Sequence, residues 1–143
     1  MKFVIVFLIL SSRLTWAGMV SLDEYYLKNP KLGNNELYYI SNRCSALMYH
    51  LFSLNETPLD LKEFLKKSQI EFANLSLSIK KNSEPDLPDK KNLEETSNDI
   101  DLIIDDYINS SNDHFYETGT YINPGIWKDL DSCSQILQLE KSD

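Results

Sequence analysis

The sequence predicts an all-α fold, a small antiparallel bundle of about four main helices preceded by a short N-terminal helix. Three observations carry that prediction. Apolar residues recur in steps of three and four over four long stretches. Proline, glycine and asparagine punctuate the chain between those stretches, and no β-hairpin signal or fixed-period repeat appears. The two cysteines, Cys44 and Cys133, each fall on an apolar stripe of a different stretch.

Ahead of the helices lies a segment of another kind. Met1-Lys2 is a short positive start, Phe3 to Leu10 is unbroken apolar sequence, and Thr15 and Ala17 place small residues three and one before a cut at Gly18. Residues 1–17 therefore read as a cleavable secretory signal peptide. The apolar run falls far short of the ~20 residues a spanning helix needs, and no other segment could cross a membrane. Removal leaves residues 18–143 as one helical domain, long enough to bury a core of its own. The segment carries Lys2 and Arg13 and no acid, so its loss takes the formal charge from −8 to −10. Such a balance excludes phosphate backbones as partners and disfavours anionic lipid.

Ser21-Leu22-Asp23-Glu24 opens the short first helix, with Ser21 as cap and Glu24 reaching back to it, and Pro30 stops it before a turn at Gly33-Asn34. From Asn35 to Phe52, Leu37, Ile40, Cys44, Leu47 and Leu51 mark one buried face. Thr57-Pro58 restarts the chain, a capping hydroxyl followed by proline at the first helical position. The third helix runs from Leu59 to about Lys80, with Leu61, Phe64, Leu65, Phe72, Leu75 and Ile79 inward. Asn82 to Lys91, with two prolines and mixed charge, reads as a surface linker. Leu93, Thr96, Ile100, Ile103 and Tyr107 define a fourth helix to about Asn109, and Ser110 to Asn123 reads as a loop with a helical start whose aromatics (Phe115, Tyr116, Tyr121) pack down over the bundle. Asn123-Pro124 opens the last helix, along which Ile126, Leu130, Cys133 and either Ile136 or Leu137 keep the spacing.

Cys44 and Cys133 thus face inward from two helices, which is what a helix-to-helix disulfide requires. An even pair in an exported chain is normally bonded. Closing a loop of about ninety residues contributes roughly 4–5 kcal/mol in the chain-entropy model. No C-x-x-C is present, so thiol exchange of the thioredoxin type has no basis.

Chemistry-bearing patterns are few, and the sequence assigns no catalytic residue and no cofactor. His114 with Asp113 and Glu117 is the nearest approach to a metal-ligand set, but a solvated polar run accounts for it better. The acids from Asp99 to Asp106 lack the alternation and glycine turn of a calcium loop, since Leu102-Ile103-Ile104 interrupts them. His50 sits at the edge of the second helix's buried face. Arg43 reads as simply exposed, with pairing to a carboxylate as its alternative. In the doublets Tyr25-Tyr26 and Tyr38-Tyr39 only one member of each can face the core, leaving the other for the surface. Asn55, Asn74 and Asn109 begin glycosylation acceptor triplets, which matter only in a eukaryotic source. A composition heavy in Asn, Lys, Ile, Asp and Ser leans towards a bacterial periplasmic protein, with the exported chain periplasmic or secreted. The expectation is an exported small helical protein with an accessory or protein-interaction role. A small apolar ligand held in a bundle cavity is the alternative, and an enzyme is the reading with no positive evidence.

Overall fold

The computed structural model describes residues 19–140, with side chains through Gln138. The signal-peptide assignment at residues 1–17 lies outside them. Five α-helices follow one another: α1 Leu22–Lys28, α2 Asn34–Ser53, α3 Leu59–Ser83, α4 Asp89–Thr118 and α5 Pro124–Glu140. The described residues contain no strand. The expected all-α bundle, with four main helices and a short leading one, is what forms.

Three connections of five residues each, 54–58, 84–88 and 119–123, reverse the chain between α2 and α5. Connections this short make successive helices antiparallel neighbours. The same order shows in the contacts. Tyr38, Arg43 and His50 of α2 meet Asp99, Tyr107 and Ser111 of α4 in ascending sequence, so these two helices run parallel.

The first two connections share one design. In each, an amide bonds back three residues (Thr57 to Leu54, Leu87 to Glu84), and a proline then stands just outside the helix with ψ near 140°. Proline has no N–H to offer, so losing it at a helix start costs nothing. The sequence placed Thr57 as the cap and Pro58 inside. Instead Pro58 is the cap residue, and the Thr57 hydroxyl donates to the Leu51 carbonyl at 2.6 Å, stitching the end of α2 to the turn. Ser21 is the cap residue of α1, as expected, but its hydroxyl makes no cap bond and donates to the Asp23 side chain instead. At α5 the expectation holds: Asn123 accepts from the Ile126 amide at 2.9 Å, and Pro124 is the first helical residue.

Two segments read as irregular are helical. The linker at 82–91 shrinks to residues 84–88, and α4 runs nine residues past Asn109 to Thr118. Ser111 explains the extension. It lies four residues beyond Tyr107, which is itself two turns beyond Ile100 on the same stripe, and is buried, although a serine carries no hydrophobic signal. Gly119 then ends the helix in the left-handed region (φ 79°), its amide donating to the Phe115 carbonyl at 2.8 Å. Beyond it, Phe115 stacks on Tyr121 with centroids 4.3 Å apart, whereas Tyr116 does not pack down and stands 87 % exposed.

The main departure from expectation is α2. Every residue from Ile40 to Met48 is buried, so this helix is enclosed on all sides rather than along one face. It packs against α3, α4 and α5. Because it is surrounded, both tyrosines of its doublet are used. Tyr38 turns to α4, donating to Asp99 at 2.8 Å, and Tyr39 turns to α1, its ring 4.8 Å from that of Tyr25. On the α3 side small residues allow close approach: Ser45 donates to the Gln69 carbonyl at 3.1 Å, and Ser68 and Ser76 are buried beside Phe72. Lys80 of α3 joins Glu84 and Glu95, each at 2.8 Å, and lies over the Tyr38 ring, tying α3, α4 and α2 at one end.

Cys44 and Cys133 are bonded, fully buried, and link α2 to α5 across 89 residues of sequence. The double substitution C44S/C133S should lower stability to urea by roughly 4–5 kcal/mol, because the unfolded chain regains a long loop's freedom. An unchanged urea midpoint would show that the helix contacts alone hold α5 in place.

Candidate functional site

One residue before the disulfide on α2 and one turn before it on α5, the sequence supplies Arg43 and Asp129. Both side chains are 1 % exposed. This corrects the expectation that Arg43 points to solvent: it enters the core and pairs with a carboxylate 86 residues away. The Asp129 Oδ2 accepts from Arg43 Nη2 at 2.6 Å, from Arg43 Nε at 3.0 Å and from the Tyr107 hydroxyl at 2.5 Å. Its Oδ1 accepts from the Leu22 amide at 2.7 Å, an amide of the first turn of α1 that has no partner within its helix. Arg43 Nη1 reaches the Tyr39 hydroxyl at 3.1 Å. One carboxylate thus joins α1, α2, α4 and α5.

The electrostatics follow from that geometry. Burial works against the Arg43 charge, but the Tyr107 hydroxyl and the Asp129 carboxylate outweigh it and hold the guanidinium above its ordinary value. Burial and the neighbouring Asp129 push the Tyr107 hydroxyl well above the usual tyrosine value, so it stays a neutral donor. Each side chain in this cluster has at least one partner within it, and the bonds it makes join helices.

Two turns along α2, His50 Nε2 and the Ser111 hydroxyl are 2.7 Å apart, and the imidazole stacks parallel to the Tyr107 ring. A serine beside a histidine invites comparison with nucleophilic catalysis, which needs the histidine oriented by a third group and the serine open to substrate. Here Nδ1 of His50 has no partner among the described residues, and both side chains are buried. Burial holds the imidazole below its ordinary value. Sequence reasoning placed His50 at the edge of the buried face and gave it no partner, since Ser111 fell in the supposed loop.

The metal candidates His114, Asp113 and Glu117 lie on the last turns of α4 rather than in a loop, with Asp113 and Glu117 exposed and His114 half-buried. Among the described residues no group of three or more His, Cys, Asp or Glu side chains is placed to hold a metal ion.

Several grooves open on the described surface, and three of them have chiefly apolar walls. The largest, about 830 Å³, lies between α1, α2, α3 and α5, with Leu37, Ile40, Phe72, Leu75, Ile79 and Ile136 among its walls. A second, about 510 Å³, runs between α3 and α4 past Leu77, Leu93 and Ile104. A third, about 430 Å³, is framed by Leu61, Phe64, Leu65, Trp127 and Leu130. Leu37, Leu61, Phe64 and Leu93 were expected in the core. All four are exposed instead, from 39 % for Leu37 to 57 % for Leu93. The stripes that the sequence draws are wider than the face each helix buries, and the surplus lines the grooves.

Comparison with protein-family models, with curated proteins and with solved structures finds no match for this chain.

Two outcomes follow from the buried polar groups. D129A should cost about 3–5 kcal/mol in urea unfolding, because it leaves the Arg43 charge buried and uncompensated. In a double-mutant cycle with R43M the two losses should be far from additive, whereas additive losses would mean the pair is not coupled. His50 gives a pH dependence of definite sign. Its folded value is depressed, so the unfolded chain binds more protons once the pH falls below about 6.5. Stability should therefore be full above that value and decline below it, and H50Q should flatten the slope that begins below about pH 6.5. The acids held low by hydrogen bonds, Asp23 from Ser21 and Glu95 from Lys80, act in a separate window, losing their contribution only below about pH 4.3.

Proposed function

We propose that this chain is an exported helical protein, periplasmic or secreted, that acts as an accessory by binding a protein partner. The observation that carries the interaction reading is the mismatch between stripe and core: Leu37, Leu61, Phe64 and Leu93 lie in helical register with buried residues yet line open grooves. Contiguous exposed apolar side chains framed by polar ones characterise interaction surfaces. Export is supported by the signal-like pattern of residues 1–17 and by the buried disulfide, a bond that persists in oxidising compartments. No described helix is long and apolar enough to cross a membrane.

A second reading has an observation of its own. The groove between α1, α2, α3 and α5 has a volume of about 830 Å³, within the range of small-molecule sites, and its walls are chiefly Leu, Ile and Phe. A small apolar ligand fits that description.

One experiment separates the two. A photoreactive amino acid at position 37, 61 or 93, in protein expressed in its own host, should yield a discrete cross-linked protein band from at least one site. Absence of a protein adduct at all three sites, together with an apolar small molecule retained in native mass spectrometry and released on denaturation, would favour the ligand reading. The same exported material tests the compartment. Its mass should correspond to a chain beginning at Gly18 and should rise by two hydrogens on reduction, whereas a chain retaining Met1 would overturn the signal-peptide assignment.

A further inference from the structure

Like the largest groove, where Asp23 is paired with Lys128 and Asp131 also stands at the rim, the groove between α3 and α4 is edged by two acids. Its floor is apolar, with Leu93, Ile100, Ile104 and Ile108 of α4 facing Ala73 and Leu77 of α3. The α4 residues recur at helical spacing, and from Leu93 to Ile108 they cover about 22 Å of helix axis. Asp101 and Asp105 stand one turn apart along its rim. The ion pairs that α4 makes with lysines engage Asp89 and Glu95, towards the other end of the helix, and neither Asp101 nor Asp105 is in an ion pair among the described residues. From Asn92 through Trp127 the chain contains no Lys or Arg, while Asp and Glu recur throughout. An apolar trough is thus bordered by uncompensated negative charge.

We infer that this groove docks a basic amphipathic helix of a partner protein, its apolar side chains seated on Ile100 and Ile104 and its Lys or Arg side chains beside Asp101 and Asp105. The assignment rests on the interaction reading above and adds the surface and the chemistry of the partner. Two antiparallel helices leave between them a furrow into which the side chains of a third helix interdigitate, and a four-turn segment matches its length. Charge complementarity selects the basic form of such a helix and steers its approach. It also argues against a second copy of this chain, whose net charge of −8 would set acid against acid.

The test uses the mature protein with a fluorescent synthetic helix of about fifteen residues, leucines on one face and lysines on the other, and a scrambled peptide of identical composition. The amphipathic peptide should bind at least about tenfold more tightly than the scrambled one, and salt should weaken it. D101N/D105N should reduce its affinity about fivefold, as expected for two exposed ion pairs. L93E/I108E, at two already exposed positions, should also reduce it. D23N/D131N, on the rim of the largest groove, should leave binding unchanged. Circular dichroism confirms that each variant is folded. Equal binding of the scrambled peptide, wild-type affinity in D101N/D105N, or loss confined to D23N/D131N would each overturn the assignment. So would dimerisation of the protein through this face. Cross-linking to a partner from position 37 or 61, with no effect at Asp101 and Asp105, would remove this assignment and leave the interaction reading standing.

Discussion

The constraint on which the rest of this structure depends is the ion pair between Arg43 and Asp129. Two charges taken out of water are expensive, and a salt bridge alone does not recover the cost. What compensates here is the number of additional bonds. The carboxylate accepts from Arg43 Nε and Nη2, from Tyr107 and from the Leu22 amide, while Arg43 Nη1 donates to Tyr39. Each bond arrives from a different direction and mostly from a different helix. The cluster can be satisfied only when α1, α2, α4 and α5 are in one mutual register, since a slip of a single turn would leave charges buried without partners.

The disulfide acts at the same crossing. Cys44 follows Arg43 directly, and Cys133 lies one helical turn beyond Asp129, so the covalent and ionic ties share a layer of the bundle. The two work on different states. The bond limits the freedom of the unfolded chain and keeps α5 near α2. The ion pair discriminates among folded arrangements that the bond alone would allow. This matters for α5, whose packing on α2 is much slighter than that of α3.

A central helix enclosed by its neighbours has a further consequence for the outside of the molecule. With α2 supplying so much of the core, the surrounding helices bury only part of their apolar stripes against it. The remainder of each stripe comes to the surface at the seams between helices, and it is there that the grooves lie. Function, on this reading, belongs to the seams, while the polar centre holds them apart. Along the seam between α3 and α4 the charge is one-sided, because α4 carries acids and no cation over most of its length.

Much of this was legible in the chain itself. The spacing of three and four, the prolines between stretches and the placement of both cysteines on stripes determined an all-α bundle with a bond between α2 and α5, because periodicity and disulfide pairing are carried by residue type and position. The partners of polar residues were not legible. Arg43 and Asp129 stand 86 positions apart, and nothing local distinguishes a buried arginine from a solvated one. Ser111 escaped notice for a related reason: a serine inside a helix reads as neutral until a histidine is found opposite it. Likewise, a leucine on a helical stripe announces that it will be inward or near inward, and only the packing of neighbouring helices decides which. Sequence determines which faces are apolar; tertiary structure alone decides how much of each face is covered, because coverage depends on where the other helices lie.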